Sequence, residues 1–344
     1  MYYAAMRSGV VAVAGVGYGD SDGDESDSDP GIDLTATRGL ADHRLECVAA
    51  NPDRPSRAFC GTFDDGLYRT TDAGETWHRT GLSAESVTSL AIRPDDPDIV
   101  FAGTEPSRLY RSTDGGETWY RRDGLRDLAS EPSWSFPPRP QTDHVRWVEP
   151  DPEKPDHLYV GVEAGALVTT PDGGETYRDR VEGGPRDTHT VATHPAAPDR
   201  AWVAAGDGFY VTSDRGDTWT TVESGLDRTY CWSVAVGGDG TPETALVSAA
   251  RGAGSAHRQP AETYVYRRDL VAGDEWERID GTALPTGEGV LRPVLEGDPE
   301  ASGEFVAATD RGLYRTTDGG DTWRRLPVDW DAYTDETARG LAVV

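Results

Sequence analysis

Apolar residues come in short runs that end at turns rich in Gly, Pro and Asp. Over 87–122 the runs SLAIR (89–93), DIVFAG (98–103), LYRST (109–113) and ETWYR (117–121) follow one another with breaks of a few residues. Runs this short, closely punctuated and rich in β-branched and aromatic residues predict strands and not helices. They read as four strands, a to d, joined by tight turns. Forty glycines, 23 prolines, 14 tyrosines and ten tryptophans extend that picture to the whole chain. The fold class expected is all-β.

One phrase recurs between strands c and d: YRTTDAGETW at 68–77, YRSTDGGETW at 110–119, VTTPDGGETY at 168–177, YVTSDRGDTW at 210–219 and YRTTDGGDTW at 314–323. A sixth copy, YRRDLVAGDEW at 266–276, carries one extra residue. The aspartates Asp72, Asp114, Asp172, Asp214 and Asp318 lie 42, 58, 42 and 104 residues apart, and the degenerate copy falls in the last interval. A period of this size suits a propeller blade of four strands. Asp accepts backbone N–H bonds in a tight turn, the Gly after it tolerates positive φ, and the Trp can pack between blades. These aspartates are therefore expected to be structural. The wording [ST]-x-D-x-G-x-T-W resembles the Asp-box (BNR) repeat of sialidases, sortilin-like receptors and photosystem II assembly-factor-like propellers. The resemblance implies a β-propeller but no particular activity.

Six units fall near 45–80, 87–122, 143–180, 187–222, 229–279 and 287–327. The chain ends complete a seventh, from 335–344 plus 1–40: RGLAVV (339–344) reads as strand a, MYYAAM as b, SGVVAVAG (8–15) as c and IDLTATRGL (32–40) as d. The expectation is a single seven-bladed propeller over 1–344, closed by both termini so that no edge strand is left open. Its c–d turn is replaced by the acidic insertion GDSDGDESDSDP. The apolar stretch at 8–19 is short, broken by glycine and preceded by Arg7 alone, so it is read as strand and not as signal peptide. A cytoplasmic, monomeric protein is expected, with Cys47 and Cys60 on adjacent strands as free thiols.

Charge narrows the partners. Lys+Arg is 33 and Asp+Glu 61, so the net charge is 33 − 61 = −28. Nucleic acid and anionic membrane repel such a surface. Lys154 is the one lysine, against 32 arginines. An acid-rich, lysine-starved composition fits a halophile's cytosol, where salt screens the self-repulsion.

Ligands meet propellers around the central channel, on the face built by the d–a and b–c connections. Residues entering strand a there are Glu46, Thr88, His144, His189, Trp232 and Arg339, with the sixth blade unassigned. The b–c turns supply Asp64, Glu105, Glu163, Asp207 and Asp310, with Arg251 and Arg7 in the fifth and seventh blades. Mixed polar and aromatic groups of this kind suit a binding mouth. Two long connections border it. The 123–147 loop brings Trp134, Phe136, Arg139, His144, Arg146 and Trp147, and the 249–263 turn brings Arg251, His257 and Arg258. Tyr230 opens the fifth blade beside them.

The leading expectation is a non-catalytic binding module for a glycan, a small polar ligand or a partner protein. The sialidase resemblance implies an alternative, a glycoside hydrolase: either Tyr230 is the nucleophile, with Glu105 or Glu163 as its partner and a clamp drawn from Arg7, Arg146, Arg251 and Arg339, or Glu105 and Glu163 are acid and base or nucleophile. The arginine motif near the start of true sialidases is absent, however. The photosystem II resemblance implies an assembly-factor role. No cofactor or resident metal is expected; His144 and His189, with Glu163, come nearest to a ligand set.

Overall fold

The computed structural model describes residues 1–15, 34–298 and 301–344; the acidic insertion lies outside the described residues. Seven antiparallel sheets form the seven blades of a β-propeller. Strands a to d of blade 1 are Leu45–Ala50, Ala58–Thr62, Leu67–Thr70 and His78–Arg79. Those of blade 2 are Ser86–Ile92, Val100–Glu105, Leu109–Ser112 and Tyr120–Arg122. Blade 3 has Val145–Pro150, Leu158–Val162 and Ala166–Thr170, with its fourth strand reduced to a bridge between Thr169 and Arg178. Blade 4 has Thr188–Thr193, Ala201–Ala205, Gly208–Thr212 and Thr220–Thr221. Blade 5 has Tyr230–Gly237, Thr244–Ala250, Glu262–Asp269 and Glu277–Arg278, and Gly287–Glu288 pairs with its strand c. Blade 6 has Val294–Gly297, Phe305–Thr309, Gly312–Thr316 and Arg324–Arg325. In blade 7 Ala338–Val343 pairs with Tyr2–Met6, followed by Gly9–Gly15 and Leu34–Gly39. Each strand a touches the strands a on both sides, so seven of them ring a central channel.

What holds the ring is apolar packing between sheets. Seven apolar clusters of described residues sit one at each junction between blades. One member of each shares a register position of strand b: Tyr3, Phe59, Phe101, Tyr159, Trp202, Leu246 and Val306, all fully buried. Each buried side chain of this size contributes roughly 1.5–3 kcal/mol. Two positions further along strand b the residue is Gly61, Gly103 or Gly161 in the first three blades. A Cβ on Gly103 would stand 2.5 Å from Val145 of the next blade, so only a small residue lets the sheets close.

The repeated phrase does what turn chemistry predicts. In blade 4, Asp214 accepts the Thr218 N–H at 2.9 Å, the Thr218 hydroxyl at 2.6 Å and the Thr212 hydroxyl at 2.7 Å. Asp72, Asp114, Asp172 and Asp318 repeat the pattern. Two left-handed residues follow each aspartate; the first is Ala73 in blade 1 and Arg215 in blade 4, where a side chain meets positive φ. Cys47, Cys60 and Cys231 are free and buried.

Candidate functional site

Strand a carries a β-bulge at the channel mouth in six of the seven blades, between Leu45 and Cys47, Val87 and Ser89, Val145 and Trp147, Thr188 and Thr190, Cys231 and Ser233, and opposite Ala5–Met6. The extra residues are Glu46, Thr88, Arg146, His189, Trp232 and Arg339. A bulge re-aims the side chain it carries, and these meet around the mouth. His189 lies on Trp232 with ring centroids 4.3 Å apart, the Arg146 guanidinium stands 4.9 Å from the Trp232 ring, and Arg339 pairs with Glu46 at 3.3 Å. Blade 3 corrects the sequence alignment: Arg146, not His144, is its ring residue, and His144 precedes the strand. Blade 6 begins its strand a at Val294, with Arg292 and Pro293 just before it.

Arg292 is the main residue that sequence reasoning missed. It is 1% exposed and lies with its guanidinium 3.6 Å over Trp232. Its Nε donates to His257 Nδ1 at 3.0 Å and one terminal nitrogen to the Ala338 carbonyl at 2.8 Å, while Nη2 has no acceptor. Burial, then the charges of Arg339 and Arg146, push its pKa well down. Arg146 Nε and Arg339 Nε are likewise buried without an acceptor. Three arginines therefore crowd one corner with donors to spare. Burial, followed by the Arg292 charge, takes His257 down to about 2, so its imidazole is neutral.

The carboxylates opposite are engaged. Arg139, from the long loop, grips Glu105 through two hydrogen bonds of 2.8 and 2.5 Å. The same guanidinium lies between the rings of Phe63 and Phe136. His144 Nε2 meets Glu163 Oε2 at 3.0 Å, and Arg146 Nε stands 3.8 Å away. Burial alone would raise the Glu163 carboxyl, but the His144 hydrogen bond and nearby positive charge, that of Arg146 included, hold it well below the usual range. Glu163 therefore lacks the raised pKa of a general acid.

Beside Glu163 lies a second residue missed from sequence. Asp187, two positions before His189 on the edge of blade 4, accepts the Ala164 N–H at 2.8 Å. His189 is fully buried, and its Nδ1 meets the Cys231 carbonyl at 2.6 Å. The Tyr230 hydroxyl stands 3.4 Å from His189 Nε2 and 3.3 Å from His257 Nε2. Burial, then the charges of Glu163 and Asp187, drives the Tyr230 pKa upward, against what a phenolate nucleophile requires.

Other candidates lie elsewhere. Trp134 is 6% exposed and packs in the core between blades 2 and 3, its indole N–H on Ser130 at 3.0 Å. Trp147 points toward the other end of the channel, where its N–H meets Glu149 at 3.1 Å. Arg251 has a side chain 75% exposed and reaches only Glu262, and Arg7 is exposed beside a cleft of about 450 Å³ lined by His43, Arg44, Asp64 and His257. Of the expected clamp only Arg146 and Arg339 meet, with Arg292 as third. The 123–147 loop is pinned by Arg126 to Asp143 at 2.5 Å and by Ser130 to Asp179 at 2.5 Å, and it walls the mouth through Phe136 and Arg139.

Residues 110–121 match the BNR/Asp-box repeat family. The fold is a β-propeller, and this match falls on one of its recurring Asp-box turns. It superposes on an ancestral GH74 enzyme with TM-score 0.66 at 18% identity, covering 86% of this chain and 41% of that one. A GH74 xyloglucanase from Xanthomonas campestris gives 0.62 at 18%, covering 82% and 47%. The Asp-box propeller thus spans less than half the length of these enzymes. YCF48 bound to D1 peptide gives 0.55 at 16% identity, covering 82% of this chain and 81% of that one. No curated protein matches the sequence. No helix among the described residues is long and apolar enough to cross a membrane.

Proposed function

We propose that this propeller is a non-catalytic binding module whose channel mouth takes a ligand presenting an anionic group, a carboxylate foremost, on a glycan, a small polar molecule or a partner's peptide. One observation carries the reading: Arg146 and Arg292 lie over the Trp232 ring with the Arg339 charge close by, and the three guanidinium groups hold three buried nitrogens lacking acceptors. Burying guanidinium donors without acceptors is costly, and a ligand anion entering this corner would offset it. The aromatic floor supplies contact area for the rest of the ligand. A peptide partner agrees with the YCF48 neighbour, which is similar along most of both chains and was solved with a peptide. A glycan agrees with the GH74 neighbours. Hydrolysis is the weaker reading, because Arg139 holds Glu105 and His144 holds Glu163.

The test is calorimetry in high potassium chloride with matched pairs: peptides with free or amidated C termini, and uronate-bearing or neutral oligosaccharides. An acidic member should bind tighter than its neutral twin by about tenfold or more, as expected for a charge-assisted contact. Arg292→Gln should abolish that preference. Equal binding of both twins would overturn the anion reading. Turnover of chromogenic glycosides that disappears in Glu105→Gln or Glu163→Gln would replace it with hydrolysis.

A further inference from the structure

Donor atoms of Glu163, Asp187 and His189 all lie within 4.8 Å of one another at the boundary of blades 3 and 4. Two carboxylates so close are no site by themselves. What sets this corner apart is how each donor is held. His189 is fully buried, and its Nδ1 is 2.6 Å from the Cys231 carbonyl, so Nδ1 carries the proton and Nε2 keeps its lone pair. Nε2 lies 3.8 Å from Asp187 Oδ1 and 3.4 Å from Tyr230 Oη. A second-sphere carbonyl fixing the tautomer in this way is the usual companion of a metal-binding imidazole. Glu163 is oriented by His144 at 3.0 Å, and Asp187 by the Ala164 N–H at 2.8 Å. Arg146, 6% exposed, stands with its Nε 3.8 Å from Glu163 Oε2 and no acceptor of its own, suitably placed to receive a hydrogen bond acceptor bound at the same corner.

We infer that Glu163, Asp187 and His189 form a binding site for a divalent transition cation, Zn²⁺ being the member that suits one imidazole and two carboxylates. Mixed nitrogen and oxygen donors select it over Mg²⁺ and Ca²⁺, which take oxygen ligands. Three protein donors leave a coordination position for water or a ligand oxygen, and Arg146 lies beside it. The inference is independent of the anion-binding reading, because the cation needs only these three side chains.

The experiment uses the metal alone. The full chain is stripped with a chelator, exchanged into chelator-free buffer with high potassium chloride to suppress loose binding on its acidic surface, and titrated with Zn²⁺ by calorimetry. A parallel titration with Co²⁺ follows visible ligand-field absorption. One saturable equivalent per chain is expected, with Co²⁺ bands that Zn²⁺ displaces. Asp187→Asn keeps the oxygen that accepts the Ala164 N–H but loses the charge, and it should weaken Zn²⁺ by about 100-fold or more, beyond the effect typical of an outer-sphere change. His189→Gln should abolish the Co²⁺ bands. Glu149→Gln, at the other end of the channel, should leave both titrations unchanged. Circular dichroism confirms that each variant is folded; if Asp187→Asn fails that check, the wild-type Co²⁺ spectrum and stoichiometry decide. No saturable binding, or equal affinity in wild type and the folded Asp187→Asn variant, would overturn the site, and that result would leave the matched-pair test of the arginines untouched.

Discussion

The two ends of one channel treat the same side chain in opposite ways. At the mouth Glu163 is held ionised, its carboxyl kept well below the usual range despite burial. At the far end Glu149 and Glu296 line a cavity of about 360 Å³, where burial pushes them up to about 7 and about 8. Glu149 has the Thr193 hydroxyl at 2.9 Å and the Trp147 N–H at 3.1 Å, both neutral. Glu296 feels Glu149 as a repelling neighbour. The difference comes from strand geometry. At the mouth the bulge of blade 3 carries Arg146 beside Glu163, and His144, just before the same strand, meets that carboxylate. At the far end the strands pair regularly, and the position taken by Glu149 and Glu296 is Ala49, Ala91, Ala192, Ala235 and Ala342 in the other blades. A glutamate among alanines has no cation to meet.

That contrast breaks most visibly at His144. Replacing it with Leu strands the Glu163 carboxylate, and chemical denaturation in high potassium chloride should show a loss of roughly 3–5 kcal/mol. A loss below about 1 kcal/mol would mean that Arg146 alone suffices to hold the carboxylate, well short of the cost of breaking a buried pair. The far end should respond with the opposite sign. Folding raises the Glu296 carboxyl, so the folded chain holds that proton more tightly than the unfolded chain. Its effect on stability is absent below the ordinary glutamate value of 4.5 and grows unfavourable as pH climbs toward about 8. Glu296→Gln should therefore leave melting unchanged at pH 4 and stabilise by roughly 1–3 kcal/mol at pH 9. A uniform gain at both pH values would assign the effect to packing instead of charge. The smallest test leaves the channel altogether and asks whether uncharged backbone strain is also stored in the ring. Ala73 sits at φ 62° beside its Asp box; Ala73→Gly should raise stability by roughly 0.5–1 kcal/mol, read as a small rise in Tm.

These regions were unequally legible in the sequence. The blades were readable because the Asp box is local: its aspartate, threonines and glycine satisfy one another within a few residues, so the motif survives every context. Glu46, Thr88, His189, Trp232 and Arg339 were readable by aligning strand starts. Arg146 was displaced by two positions because a bulge adds a residue that no apolar pattern marks. Arg292 was hidden by Pro293, which replaces the bulge of blade 6 and blurs the repeat. Asp187 was hidden because it lies in the connection just before Thr188–Thr193, where no strand periodicity marks a side chain. Trp134 looked like an interface residue by type, but Ser130 satisfies its indole and the core takes its ring. Glu149 and Glu296 were missed too, although aligning strand a at its far end would have set them apart from a column of alanines.

The pairing of Tyr2–Met6 with Ala338–Val343 sets a timetable as well as a seam. Strand b of blade 7 is synthesised well before its partner, with blades 1 to 6 between them in the chain. At ordinary elongation rates the interval is roughly 15–70 s. Throughout it Tyr3, Ala4, Ala5 and Met6, all buried in the finished ring, have an unpaired edge. Joining ends so distant also costs about 5 kcal/mol of chain entropy, which the last strand must overcome in a single step. The propeller is thus most exposed to wrong partners not when it is old or heated but in the minute before it is complete.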